Sequence, residues 1–315
     1  MKICILTHTF PRFDGDIAAP FMYGVAKGMA ESGNDVFVVI PYNDKFSWGK
    51  KMPFKIVTYK YIWPNSLHKL GYSETLMNDM GLPILMWVLS PFMYFFAFLK
   101  VWEVIRKEKI EVINAHWILP NGFIASAVSM VTGVPVVSTL PGSDVYMVKK
   151  NVLFNILGRF ATWKSKWITS NSRQLIKDLA KFTGINLNKK SSTIIYGVDP
   201  QKFKEDNLQN KTLKEKLKIK NKDVVILGVG RLVAKKGFRY LIDASKLVVK
   251  KNGNVVFVIV GDGDERKFLE DLAKKLGVYD KFRFVGSIDY KKLIHYYNLA
   301  DIFIYSLDCQ YPAKR

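Results

Sequence analysis

After a short apolar run at residues 224–227 and before a helical pattern that starts at Phe238, the chain reads Gly228-Val229-Gly230-Arg231-Leu232-Val233-Ala234-Lys235-Lys236-Gly237. Glycines let backbone approach a ligand closely, Arg231, Lys235 and Lys236 supply cations, and a helix N-terminus adds partial positive charge. A diphosphate suits such a turn. Arginine can fork two phosphate oxygens, lysine acts as a point charge, and both would stabilise the charge that grows on a departing nucleoside diphosphate. The same residues also describe a solvated basic loop. A second turn, Gly261-Asp262-Gly263-Asp264-Glu265, follows the run at 255–260. Gly261 and Gly263 could bring backbone to a donor or simply make a tight turn, and the acidic side chains disfavour direct phosphate contact.

The first half has its own candidates. Asp14-Gly15-Asp16 lies between the run at 3–7 and a helical pattern from Pro20. Gly15 there reads either as a loop able to touch acceptor or donor phosphate, or as a flexible turn. His8 and His116 each sit just past an apolar run, where general-base or hydrogen-bonding roles arise, although such histidines are also common as satisfied polar groups. Gly142-Ser143-Asp144 follows the run at 134–139. Asp144 could accept a proton, bind a sugar hydroxyl or cap the next helix. His68 and His295 have no comparable setting.

These turns need a sheet to hold them. Runs at 3–7 and 35–40 flank a helix over 20–32, and the alternation resumes with runs at 111–115, 134–139, 166–170 and 193–196 separated by helices. Val/Ile-rich runs without polar alternation suit strands buried on both faces of a parallel sheet. Between 202 and 223 the composition turns to Lys, Asn, Glu and Gln, which places a domain boundary near 203 and two α/β domains at 1–203 and 204–315. The second half repeats the pattern with runs at 224–227, 255–260, 282–285 and 302–305 and helices over 238–249, 265–276 and 290–298. In open parallel sheets ligands bind at the carboxyl ends of strands, where the candidate turns fall.

The net charge of +21 is shared between the halves, with 24 basic and 13 acidic residues up to 203 and 24 and 14 after it. No helix-turn-helix, zinc-finger or aromatic RNA-binding pattern accompanies the lysines, so nucleic acid is not the expected partner. An anionic membrane surface or a phosphorylated substrate accounts for the charge, as does a plain lysine-rich surface. Cys4 and Cys309, the two cysteines, lack metal-ligand neighbours, and a reducing cytoplasmic setting is expected. The N-terminus has no signal-peptide core.

Residues 80–99 carry no charge over 20 positions, enough at about 1.5 Å per residue to cross a bilayer core of about 30 Å. A crossing would divide one parallel sheet between two sides of a membrane, and Pro83 and Pro91 weaken a straight spanning helix. Two readings remain. The helix is buried in its domain, or its aromatic face dips into the membrane interface while Lys100, Arg106, Lys107 and Lys109 meet headgroups.

Taken together the turns resemble family 4 of the retaining glycosyltransferases, which have the GT-B fold of two Rossmann-like doubly wound domains. The resemblance covers nearly the whole chain. It rests on Asn114-Ala115-His116-Trp117 with Pro120-Asn121-Gly122, Gly142-Ser143-Asp144, Ser170-Asn171-Ser172, and Tyr196-Gly197-Val198-Asp199-Pro200 with Phe203. Further on it rests on Gly230-Arg231-Leu232 with Lys236-Gly237, Gly261-Asp262-Gly263, Phe284-Val285-Gly286 and Ala300-Asp301. The resemblance implies transfer of a sugar from a nucleotide-sugar donor, without metal or other cofactor, to a lipid-linked or saccharide acceptor of polysaccharide or glycolipid assembly. Arg231 and Lys236 match the pair that grips the donor diphosphate, Gly15 matches the glycine loop near it, and His116 and Asp144 match positions on the acceptor side.

Two departures qualify the match. Pro141 stands where many members have the histidine of a histidine-glycine-x-aspartate turn, so that residue's role does not carry over. After Ile302-Phe303-Ile304-Tyr305-Ser306, where the family continues into a glutamate-rich donor motif, this sequence reads Leu-Asp-Cys-Gln-Tyr-Pro-Ala-Lys-Arg. A C-terminally truncated second domain is therefore expected. The expectation is a glycosyltransferase working at the cytoplasmic face of a membrane. The alternative is a non-catalytic remnant that retains acceptor or membrane binding.

Overall fold

The computed structural model describes residues 1–16, 18–48, 51–68, 70–71, 84–142, 144–197 and 207–306. The chain divides into two compact units, Met1–Val198 and Asp199–Arg315. The expected boundary near 203, together with Ser143, Val198 to Pro200, Phe203, the start of the apolar stretch at 80–83 and the residues from 307 onward, lies outside the described residues.

Unit 1 begins β1 (Lys2–Leu6), α1 (Pro20–Glu31), β2 (Asp35–Pro41) and β3 (Lys55–Tyr59). A long helix, α2 (Ile84–Glu108), leads to β4 (Val112–His116), α3 (Phe123–Thr132) and β5 (Val136–Leu140). Then come α4 (Asp144–Lys150), α5 (Val152–Lys164), β6 (Trp167–Ser170), α6 (Arg173–Thr183) and β7 (Ser191–Thr193). The strands form one parallel seven-stranded sheet in the order β3-β2-β1-β4-β5-β6-β7. Strand β1 lies at its centre, with Ile3 opposite Val36 on one side and Val112 on the other. Cys4, Ile5 and Leu6 are fully buried, as an unalternating run requires when helices cover both faces.

Unit 2 comprises α7 (Asn207–Lys216), β8 (Val224–Val229), α8 (Phe238–Lys251), β9 (Val255–Val260) and α9 (Arg266–Lys275), followed by β10 (Phe282–Gly286), α10 (Leu293–Leu299) and β11 (Ile302–Phe303). Its four parallel strands run β10-β9-β8-β11. Every residue of β9 is buried, and Phe257 stacks on Phe282 with centroids 4.7 Å apart.

Both sheets reverse their winding once. In unit 1 the reversal falls between β1 and β4, and in unit 2 between β8 and β11. Such switch points open a crevice at the carboxyl edge of an open sheet, because the connections leave in opposite directions.

Three departures from the sequence reading have local causes. Strand β3 was not expected; it is an edge strand whose Lys and Thr interrupt the apolar pattern. The run at 193–196 is not the strand, because β7 is the polar Ser191–Thr193 while Ile194 and Ile195 are exposed. One helix was expected between β5 and β6, yet two form, broken at Asn151, whose side chain accepts from the Phe154 N–H at 2.8 Å and caps α5.

Helix α2 answers the question raised by the apolar stretch. Leu89, Met93, Ala97, Val101, Val104 and Ile105 are buried against the sheet, while Phe92, Phe95, Phe96 and Trp102 are exposed. Val88–Glu108 is long and apolar enough to cross a bilayer by length and composition. Because β3 and β4, on either side of α2, belong to one sheet, the helix lies along the sheet and does not span.

Candidate functional site

In unit 1 the carboxyl ends of β1, β4 and β5 carry the polar groups. The loop after β1 is fixed by Asp16, a buried carboxylate that accepts from Arg12 Nε at 2.7 Å and Nη2 at 3.2 Å, and from the backbone N–H groups of Arg12 at 2.9 Å and Ala18 at 3.1 Å. Burial alone would raise this carboxyl; the hydrogen bonds and charge of Arg12, with the Ala18 N–H, outweigh that and hold it below the usual carboxylate range. Gly15, with φ of 98°, therefore sits in a pinned loop and not in a flexible turn. Its position beside the β1–β4 crevice follows from the strand order.

His116 ends β4 and is 1% exposed. Its Nδ1 lies 3.4 Å from the Tyr196 hydroxyl, and its Nε2 is buried without a hydrogen-bond partner among the described residues. Burial pushes its pKa down to about 3, so the ring stays neutral. With the Tyr196 hydroxyl as donor to Nδ1, the imidazole hydrogen sits on the buried Nε2.

The next residue, Trp117, has φ of 71°, an uncommon conformation for a bulky side chain. It is held there by its N–H donating to the Thr139 carbonyl at 2.9 Å and by its carbonyl accepting from the Gly122 N–H at 2.9 Å. The bend places the indole 4.6 Å from the His8 ring and 6.1 Å from Phe21. Asn121 binds the pieces together, since its amide donates to the His116 carbonyl at 2.7 Å and lies 3.0 Å from His8 Nδ1. Its own Oδ1 is buried without a partner among the described residues.

Asp144, the first residue of α4, is 1% exposed. Its oxygens accept from the Ile118 N–H at 2.6 Å and the Gly142 N–H at 3.2 Å. Burial pushes its carboxyl up to about 7 against the pull of those backbone groups. Burial and then the Asp144 charge raise the Tyr196 hydroxyl as well. Asp144 thus clamps the loop after β4 to the turn after β5. His8, His116 and Asp144 are gathered with Asn121, Trp117 and Tyr196, none of which stood out as a site residue in the sequence. Asn121 and Tyr196 appear there only as members of motifs.

Unit 2 presents a second cluster at its own switch point. The turn from β8 to α8 holds Arg231, which is exposed and whose guanidinium makes no hydrogen bond or ion pair among the described residues. Lys236 lies across the turn, and its ammonium donates to the Tyr305 hydroxyl at 2.7 Å. Ser306 Oγ donates to the Lys236 carbonyl at 3.1 Å. Strand β11 brings these two residues there by pairing Phe303 with Leu227. Tyr305 is a site neighbour that the sequence alone did not single out.

The Gly261-Asp262-Gly263 turn supports this cluster from beneath. The Gly230 N–H donates to the Val260 carbonyl at 3.0 Å, and the Leu232 N–H to the Asp262 carbonyl at 2.9 Å. A Cβ at Gly261, where φ is 134°, would fall 1.9 Å from the Gly230 oxygen, and one at Gly263 would fall 2.4 Å from the Leu232 oxygen. These glycines let two turns stack backbone on backbone, which fixes the path of the Arg231 turn. Asp262 is held by Arg266 at 2.9 Å and by the Gly263 N–H at 2.9 Å, so its carboxylate belongs to the turn.

Residues 18–202 match the family described as Glycosyltransferase Family 4, and residues 209–308 match Glycosyl transferases group 1. The chain is 24% identical over 315 residues to an uncharacterized glycosyltransferase of Methanocaldococcus jannaschii, covering 96% of this chain and 74% of that one. It is 27% identical over 216 residues to the alpha-monoglucosyldiacylglycerol synthase of Acholeplasma laidlawii, covering 63% of this chain and 53% of the relative. The chain thus spans about three quarters of one relative and about half of the other. Among solved structures, Anabaena HepE in complex with UDP superposes with a TM-score of 0.68 at 16% identity, covering 98% of this chain and 74% of that one. At that identity the likeness establishes the GT-B fold expected from the sequence.

Two outcomes check this geometry. Gly261→Ala is expected to destabilise unit 2 by about 2 kcal/mol or more in denaturant unfolding, whereas Gly253→Ala, with open space around its Cβ, changes stability little. Equal stability of both variants would refute the stacked-turn account. Asp144 is raised from 3.8 to about 7, so its contribution to stability is complete below about 4 and is lost as pH rises through about 7. The melting temperature of Asp144→Asn should therefore gain on that of the unmodified protein across this window; a pH-independent difference contradicts the shift.

Proposed function

This chain belongs to Glycosyltransferase Family 4, and on that premise we propose that it moves a sugar from a nucleotide diphosphate donor to a glycolipid or polysaccharide acceptor with retention at the anomeric carbon. The observation that carries the reading is the cation pair Arg231 and Lys236 at the β8–β11 switch point, on a turn braced by Gly261 and Gly263. Anabaena HepE, which shares the fold, has been solved with UDP and with UDP-glucose. By its name, the Acholeplasma laidlawii relative makes a glycolipid.

In this reading Arg231 forks the diphosphate oxygens and Lys236 places a point charge beside them. As the bond from the anomeric carbon to the diphosphate breaks and the bond to the acceptor oxygen forms, the charge left on the diphosphate meets these two cations. They do the work a divalent ion does elsewhere, and the transfer needs no metal. The Tyr305 hydroxyl accepts from Lys236 and keeps its own hydrogen for a phosphate oxygen. Gly15 lines the donor side of unit 1, and on the acceptor side His116 offers its Nε2 hydrogen while Asp144 holds the loop that carries it. The positive net charge and the exposed aromatic face of α2, with Arg106 stacked 5.0 Å over Trp102, suit a peripheral position on an anionic cytoplasmic membrane surface.

Calorimetric titration of this chain with UDP and GDP is expected to show binding to one of them that Arg231→Ala or Lys236→Ala weakens at least tenfold. In transfer assays each of these two substitutions should cost roughly a hundredfold or more. Unchanged affinity and rate in both would sink the site assignment. Tyr305→Phe removes only the hydroxyl, and its loss in UDP affinity should be severalfold. EDTA is expected to leave the rate unaltered.

A further inference from the structure

Helix α2 is not alone in turning bulk outward. On α5, Val152 is 76% exposed, Ile156 59% and Trp163 60%. Their spacing of four and seven puts them on one stripe, with the exposed Arg159 between the last two. The inner face of the same helix buries Phe154 beside small groups: Gly158 packs where a Cβ would fall 2.6 Å from Val148, and Ala161 and Thr162 are fully buried. Large apolar residues on the outer face as well depart from the ordinary pattern of a surface helix. Helix α6, on the same unit, shows that ordinary pattern, with Leu175 and Leu179 inward and Arg173, Gln174, Lys177 and Lys181 exposed.

A chain of half-buried rings connects α2 to α5. Tyr94 of α2 lies 6.4 Å from Phe123 of α3, Phe123 lies 5.8 Å from Phe160 of α5, and Phe160 lies 6.2 Å from Trp163. Topology also aligns the two helices. Helix α2 runs into β4 and α5 runs into β6, and these strands are parallel, so both helices end at the amino edge of the sheet. Trp163 is the second-last residue of α5 and Trp102 lies in the last third of α2, with Lys164 and with Arg106 and Lys107 following them. Tryptophans followed by cations are what the boundary between acyl chains and headgroups takes up.

We propose that α2 and α5 together form one docking face for an anionic lipid surface, with the aromatic bridge of Phe123 and Phe160 between them. The inference rests on the membrane position given above and adds a second helix to it. Charge selects the occupant. Helix α5 contains no acidic residue, and on α2 Glu103 is paired with Lys100 at 2.6 Å and Glu108 with Lys55 at 3.9 Å, which leaves Arg106, Lys107 and Arg159 as the uncompensated charges of the face. They repel a second copy of this face and attract anionic headgroups.

Flotation of the protein with phosphatidylcholine–phosphatidylglycerol vesicles at low salt, against phosphatidylcholine alone, tests the proposal. Binding is expected only with the anionic vesicles. Ile156→Glu and Trp163→Glu, each with an unchanged melting temperature, should weaken it about tenfold or more, and Trp163→Phe should largely retain it. Phe95→Glu on α2 should weaken it comparably, and acyl chains brominated near the headgroup should quench Trp163. If Phe95→Glu abolishes flotation while both α5 variants float like the unmodified protein, the two-helix face is overturned and the α2 reading stands. If the unmodified protein does not float, both fail. A dimer seen by light scattering without flotation, and dissolved by Ile156→Glu, assigns the face to a second copy and also overturns the proposal.

Discussion

A parallel sheet covered on both faces leaves polar side chains one place to gather, the ends of its strands. Strand β1 in one unit and β9 in the other are buried nearly throughout, and neither can carry a hydroxyl or a charge along its length without stranding it. Reversal of the winding then decides which strand ends stand apart. Between β1 and β4 the crevice receives His8, the Gly15 loop and His116; between β8 and β11 it receives Arg231, Lys236 and Tyr305. The chemistry of each unit follows from this constraint, because the strand order chose the location before any side chain was placed there.

Around each crevice the support is backbone more than side chain. In unit 2 the stacked turns exchange N–H and carbonyl groups across Gly230, Leu232 and Asp262. In unit 1 the carboxylates of Asp16 and Asp144 each gather two backbone N–H groups. Loops built this way keep their shape with no ligand present, so little ordering is left to be done on binding. The exposed guanidinium of Arg231, and in unit 1 the Nε2 of His116 and the Oδ1 of Asn121, stand without hydrogen-bond partners among the described residues.

Much of this was legible in the sequence because it depends on local pattern. Unalternating Val/Ile runs marked the buried strands, and glycines between run and helix marked the turns. The elements that stayed hidden depend on distant partners. Strand β3 has Lys55 and Thr58 among its five residues and pairs with β2 alone, at the edge of the sheet. The role of Gly261 and Gly263 could not be told from ligand contact, since a glycine that admits a phosphate and one that admits a neighbouring carbonyl read the same. Tyr305 and Tyr196 are brought to their partners by sheet pairing across 69 and 80 residues respectively, a separation that no local motif spans. The exposed apolar stripe of α5 escaped as well, because composition does not say which side of a helix faces the sheet.

The opposed titrations of His116 and Asp144 have a consequence for what can enter the first crevice. With the histidine neutral above about 3, the carboxyl changing hands with solvent near 7, and Arg12 cancelled by Asp16, these groups together sum to zero or one negative charge at every pH a cell visits. Their crevice is a solvent of dipoles, not a counter-ion. In the proposed reading it takes a neutral hydroxyl-bearing group on hydrogen bonds and aromatic faces, while the charge of the donor meets the cations of unit 2.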